Sequence, residues 1–173
     1  MMAQQVEPPL TASCEPSADA EDLASEASFY HTALLLGLCR GERVVAWADH
    51  AIASVTEAPH ALCDVALTDP RDLSAMRHAV AQLAPEAPSV ATLARVLRVA
   101  AADLAEGRRD VTGTVQLFAQ MRRMLTLPVA IEHDLDQLQD THMLATAGVQ
   151  GSEATAEALV RGWLAGFAAA GVC

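Results

Sequence analysis

The chain has 173 residues, of which 52% are hydrophobic and only 3% aromatic, and its formal charge is −11. This length suits one domain, and the composition predicts a core built from Ala, Leu and Val. The negative charge would repel phosphate groups, so we predict that the protein binds neither nucleic acid nor anionic membrane surfaces. A basic protein partner is compatible with this charge.

The ends of the chain and its apolar runs bear on the compartment. The start MMAQQVEPPL has neither the basic segment nor the apolar run of a secretory signal. The longest apolar runs, 33–39 and 164–173, are shorter than the ~20 residues that a membrane-spanning helix needs. We therefore predict a cytoplasmic protein. The four cysteines are too few for a disulfide scaffold.

The first 18 residues differ in composition from the rest. They are polar and acidic and contain Pro8, Pro9 and Pro16, which predicts a disordered N-terminal arm over residues 1–18. From residue 19 to residue 173 apolar residues recur at helical spacing, and this predicts a single helical domain.

The first four predicted helices lie before residue 85. The spacing predicts a helix from Ala20 to Leu38, stopped at Arg40–Gly41, and a second from Glu42 to Ser54. Pro59 begins a short third helix. The fourth helix has Asp69 as its predicted N-cap, followed by Pro70 and Asp72.

Four more helices are predicted in the second half of the chain. They run over Ser89–Glu106, over Val111–Leu125 with Asp110 as N-cap, from Pro128 onward, and from the N-cap Ser152 onward. Connections between the eight helices are short, which favours antiparallel neighbours. The predicted fold is therefore all-α, an irregular antiparallel bundle of about eight helices.

A zinc site is the first chemical hypothesis that the residues raise. Cys39, His50, His60 and Cys63 offer sulfur and nitrogen ligands, but their spacing matches none of the usual zinc patterns. The alternative is a pair of core cysteines beside surface histidines. We favour this alternative and predict no bound metal or cofactor.

A stripe of carboxylates on the seventh helix is the second hypothesis. Glu132, Asp136 and Asp140 recur every fourth residue and so share one face, roughly opposite the apolar side of that helix. The stripe is open to three interpretations: a solvated surface, a contact surface for a cationic partner, or a metal site. Metal-binding bundles direct their carboxylates into the core, whereas this stripe is predicted to face outward.

Catalytic motifs give no further hypothesis. The sequence has no Gly-x-Ser-x-Gly turn around a nucleophile and no glycine-rich phosphate loop. His142 lies at the edge of an apolar face and is predicted to be a core residue, as are Trp47 and Trp163.

Three short runs carry a resemblance. Leu36–Glu42, Val45–Ile52 and Leu62–Leu67 resemble a pattern found in small bacterial all-helical proteins, some of which look like immunity proteins that neutralise a cognate toxin. The resemblance covers about a fifth of the chain and involves packing residues only. It implies a helical fold and, for the immunity-like members, a protein partner.

The leading functional hypothesis is a non-enzymatic protein-binding module, of immunity or adaptor type, that uses its acidic surface against a basic partner. Glu132, Asp136 and Asp140 are the predicted partner-binding residues. One alternative is a metal-dependent enzyme whose site is assembled from scattered histidines and carboxylates. Another is a homo-oligomeric structural protein that associates through an exposed Ala/Leu face.

Overall fold

The structure, a computed structural model, describes residues 18–169, and this part of the chain forms eight α-helices and no strand. The predicted all-α bundle of about eight helices is confirmed. The predicted arm over residues 1–18 lies outside the described residues except for Ala18, where the first helix begins. The helices are α1 (Ala18–Leu35), α2 (Gly41–Ser54), α3 (His60–Leu67), α4 (Leu73–Ala81), α5 (Val90–Ala105), α6 (Val111–Met124), α7 (Val129–Thr146) and α8 (Glu153–Ala169).

Side-chain caps fix the starts of four helices. In each case a carboxylate or hydroxyl oxygen accepts a backbone N–H of the first turn, which has no partner within the helix. The predicted caps Asp110 and Ser152 accept from Gly113 at 2.7 Å and from Thr155 at 3.2 Å. The other two capping residues are Asp72 and Ser89.

The predicted N-cap of the fourth helix was wrong by three residues. Asp72, and not Asp69, caps α4 by accepting the N–H groups of Ser74 and Ala75 at 3.1 and 3.0 Å. The Asp69 carboxylate instead accepts the N–H of Arg71 at 2.9 Å. This bond closes a turn two residues after Asp69, so the helix begins only after the turn is complete.

The predicted end of the first helix was also wrong. α1 stops at Leu35, because Gly37 takes a φ of 66° that side-chain-bearing residues rarely adopt. The N–H of Leu38 then bonds back to the carbonyl of Ala33 at 2.8 Å, as at many glycine-terminated helices. Gly41 does not stop α1; it is the first residue of α2.

Buried apolar side chains of the first four helices form one cluster. Its members are alanines, valines, leucines and one methionine, and no aromatic ring is fully buried among them. The largest are Leu62 and Met76, both with no exposed surface. We call α1–α4 the N-terminal unit. The cluster consists of Ala27, Leu34, Val44, Ala48, Leu62, Val65, Met76 and Val80.

The last four helices enclose a second cluster, and we call α5–α8 the C-terminal unit. Phe118 lies at its centre with no exposed surface, and Trp163 packs edge-on against it at 5.5 Å between ring centres. α5 and α6 supply most of the buried leucines and valines. Leu36, from the turn after α1, is the one buried member of this cluster that belongs to the first half of the chain.

The two units meet along α1 and α5. The Arg95 guanidinium forms an ion pair with Glu26 at 2.7 Å and lies 4.3 Å from the centre of the Phe29 ring. The side-chain amide of Gln120 on α6 donates to the carbonyl of Leu35 at 2.9 Å. These contacts hold the end of α1 against the C-terminal unit. The prediction that residues 19–173 form a single domain stays a prediction.

None of the eight helices is long and apolar enough to cross a membrane, within the described part of the chain.

Candidate functional site

The candidate site lies on α7, whose start is set by backbone conformation. Pro128 precedes the helix with φ −58° and ψ 139° and offers no side-chain cap. Glu132 lies in the first turn, where a carboxylate interacts favourably with the positive end of the helix dipole. Leu135 is fully buried and fixes the rotation of α7 against the core. The opposite side of α7 is therefore free to carry polar residues.

The three residues of the predicted stripe differ in their surroundings. Glu132 and Asp140 are exposed, and no Arg or His of the described residues lies within ion-pair distance of either carboxylate. Asp136 accepts an ion pair from Arg122 on α6 at 2.6 Å, and its side chain is 48% exposed. The stripe therefore presents two unpaired carboxylates on either side of one that is neutralised.

Arg122 links the stripe to α6. One of its terminal nitrogens contacts Asp136 and also donates to the Gln139 side chain at 3.3 Å. Its Nε is buried and has no hydrogen-bond partner among the described residues. Because Arg122 belongs to α6 and its guanidinium contacts two side chains of α7, it holds the two helices together.

An open groove of about 410 Å³ lies between α6 and α7, next to the stripe. Val115 lines it from α6, Met143 lines it from α7, and Ala147 lines it from the C-cap position after α7. Met143 is 58% exposed. It follows Glu132 by eleven residues, close to three helical turns, so it continues the same face as the carboxylates. The site thus combines an exposed apolar side chain with unpaired negative charge.

Two further polar residues of α7, Asp134 and His142, lie against neighbouring helices. The indole N–H of Trp163 on α8 donates to the Asp134 carboxylate at 3.1 Å, and Phe167 packs against the same indole at 4.8 Å. Trp163 is therefore a packing residue, as predicted. His142 is half-buried and lines the α6/α7 groove.

The four candidate zinc ligands are divided among α2, α3 and the turn before α2. His50 is exposed on α2, while His60 and Cys63 lie in α3 and Cys39 lies in the turn before α2. Over residues 18–169, no three His, Cys, Asp or Glu side chains are grouped in a way that could hold a metal ion. Burial raises the pKa of the Cys39 thiol, which makes its deprotonation less favourable.

No family model, curated protein or solved structure matches this chain.

The sequence pattern located the stripe but not the groove beside it. Helical spacing alone placed the three carboxylates on one face, and Met143 could have been added by the same spacing. The groove depends on how α6 packs against α7, which no local pattern specifies. The pairing of Asp136 with Arg122 was missed for the same reason, since the two residues lie on different helices.

Proposed function

We propose that this protein is a non-enzymatic protein-binding module, of immunity or adaptor type, whose α7 surface binds a basic partner protein. The observation that carries the proposal is the pair of exposed, unpaired carboxylates, Glu132 and Asp140, beside the exposed Met143 and the α6/α7 groove. Many protein interfaces have an apolar centre surrounded by polar residues, and this surface has that arrangement. In this proposal the protein acts in the bacterial cytoplasm.

The stripe also has an energetic feature that favours a binding role. Like charges four residues apart weaken an isolated helix by a few tenths of a kcal/mol per pair. Both such pairs in the stripe include Asp136, so the Arg122 ion pair relieves part of the repulsion in each. A cationic partner would relieve the rest. We expect the partner to place Lys or Arg near Glu132 and Asp140 and an apolar side chain between Val115 and Met143.

The test combines partner recovery with matched charge reversals. Tagged protein is recovered from a lysate of its own cells, and the complexes are weighed by native mass spectrometry. The double variant Glu132→Arg/Asp140→Arg is compared with Asp49→Arg/Glu57→Arg, which makes the same charge change at two exposed positions of the N-terminal unit. The proposal predicts a basic partner that is lost only from the first variant. Equal recovery with both variants would contradict it.

Association between copies of the chain is a second candidate, carried by the outward side of α8. Leu159 is 50% exposed, and no atom lies within 4 Å of a Cβ placed on Gly162 or Gly166. Small residues let two helices approach closely, so this side could pack against a second copy. Light scattering on the purified protein tests this directly. A dimer that Leu159→Glu dissociates would support association through α8, and a monomer at high concentration would exclude it.

A further inference from the structure

A second groove, of about 450 Å³, lies between α5 and α8. Its walls are alanines, whose side chains stop at Cβ and leave the space between the two helices unfilled. Leu104 and Leu164, which are almost fully buried, form its floor. The volume is in the range of small-molecule sites, which are concave and mostly apolar. The alanines are Ala101, Ala102 and Ala105 of α5 and Ala165 and Ala168 of α8.

Two arginines provide the polar part of this groove. Arg98 lines it from α5 and Arg161 from α8. Arg98 donates from Nε to the carbonyl of Ala94 at 3.4 Å, which leaves its terminal nitrogens available. No carboxylate of the described side chains lies within ion-pair distance of either guanidinium. The groove therefore carries two guanidiniums that have no ion-pair partner among the described side chains.

We propose that this groove binds a free single-chain fatty acid, with the acyl chain along the alanines and the carboxylate at Arg98 and Arg161. The guanidiniums are the only side chains of the lining that can hydrogen-bond, and they only donate. The ligand must therefore present an anionic acceptor and be apolar elsewhere. An extended peptide would leave its backbone N–H groups without acceptors here, at a cost in free energy.

Charge also argues against a second copy of the chain in this groove. A two-fold contact presents the same patch from both copies. It would bring Arg98 and Arg161 of one copy close to those of the other, and like charges repel at that distance. An acidic amphipathic helix of another protein satisfies its own backbone and is the competing occupant. A fatty acid differs from it because its affinity should rise with the length of its acyl chain.

The first experiment is calorimetric titration of the purified full chain with decanoate below its micelle concentration. We expect saturable 1:1 binding, and no binding of decyltrimethylammonium, which has the same chain and a cationic head. The dissociation constant should fall from octanoate to decanoate to dodecanoate, by about fourfold for each added methylene that is buried. Equal binding of the anionic and cationic amphiphiles would overturn the proposal.

The second experiment tests whether decanoate binds in this groove. Ala165→Phe fills the groove from an exposed position and should weaken decanoate binding at least tenfold. Ala46→Phe makes the same change at an exposed alanine of α2 and should leave binding unchanged. Arg98→Gln and Arg161→Gln should each weaken binding about three- to tenfold through loss of a charge-assisted contact.

Two results would overturn the assignment. Decanoate binding that survives Ala165→Phe would place the ligand elsewhere. Binding of an acidic Leu/Glu helical peptide that Ala165→Phe abolishes, without any binding of decanoate, would assign the groove to a protein partner. Circular dichroism confirms that each variant is folded. The titrations contain no partner protein, so their outcome is independent of whether α7 binds one.

Discussion

The N-terminal and C-terminal units contain four helices each but differ in what they leave at the surface. The N-terminal unit is packed around apolar side chains without an aromatic ring, and Leu67 and Leu73 are the large apolar side chains that it exposes in the described chain. The C-terminal unit has a larger, aromatic core and two open apolar grooves. It exposes Val90, Met124, Val129, Met143, Val149 and Leu159.

This difference indicates a division of roles. Exposed apolar surface rimmed by charge is typical of binding sites, whereas a buried apolar core contributes mainly to stability. The two surfaces proposed to bind ligands, on α7 and between α5 and α8, both belong to the C-terminal unit. The other helices of the N-terminal unit would then hold α1 in place, and α1 packs against α5 on one side of the C-terminal unit.

The largest expected effect on the free energy of unfolding comes from removing the buried aromatic ring at the centre of the C-terminal unit. Phe118→Ala removes a fully buried ring that packs against Trp163, and we expect a loss of about 3–5 kcal/mol in the free energy of unfolding. Urea unfolding followed by Trp fluorescence measures it. A loss below about 1 kcal/mol would show that this core is not as closely packed as described.

Gly41→Ala tests the close packing of the N-terminal unit. A Cβ at Gly41 would overlap the Pro70 carbonyl oxygen and come within 2.8 Å of two other Pro70 backbone atoms. Because backbone atoms cannot easily move aside, we expect a loss of about 2–4 kcal/mol.

Gly166→Ala is the matched control in the C-terminal unit, since nothing lies within 4 Å of its Cβ position. Alanine favours an exposed helix over glycine, so this variant should gain about 0.5–1 kcal/mol. Similar losses for the two glycine variants would contradict the comparison between the units.

Arg95→Gln tests the junction of the units. It removes the ion pair with Glu26 and the contact with the Phe29 ring, both partly exposed, and we expect a loss of about 1 kcal/mol. Unfolding should also become less cooperative, which thermal scans by far-UV circular dichroism and by Trp fluorescence would detect as separate midpoints. Coincident midpoints in the variant would show that other contacts couple the units.

The smallest expected effect is the contribution of His31 on α1 to the pH dependence of stability. Burial, and then the nearby Arg77 guanidinium, lower the pKa of His31 below the usual 6.5. The unfolded chain therefore takes up a proton more readily than the folded protein, and stability falls as pH drops through 6.5. His31→Gln should reduce the difference in unfolding free energy between pH 7.5 and pH 5.5. His50→Gln, at an exposed position of α2, is the matched histidine variant.

The helical fold was predictable because the signals for it are local. The Ala- and Leu-rich composition favours helices, and Ser89, Asp110 and Ser152 mark their starts by chemistry that is readable from single residues. The N-cap of α4 was misplaced because Asp69 and Asp72 are both suitable capping residues. The end of α1 was misplaced because Gly37 and Gly41 are both suitable residues to end a helix. Local pattern could not choose between them.

Features that depend on packing between helices were not predictable. The separation of the core into two clusters, the grooves and the pairing of Asp136 with Arg122 all depend on which helices become neighbours. The candidate zinc ligands illustrate the same limit, because sequence proximity of His60 and Cys63 said nothing about where Cys39 would lie. The stripe on α7 was visible because it belongs to one helix.

The α7 binding surface is tested most directly by carboxyl-group footprinting of the protein alone and in complex with its recovered partner. Each exposed Asp and Glu is labelled with an amine, and mass spectrometry measures the change in labelling on binding. We predict that Glu132 and Asp140 lose most of their labelling while Asp49 and Glu57 keep theirs. Protection of Asp49 and Glu57 with unchanged labelling of Glu132 and Asp140 would instead place the partner on the N-terminal unit.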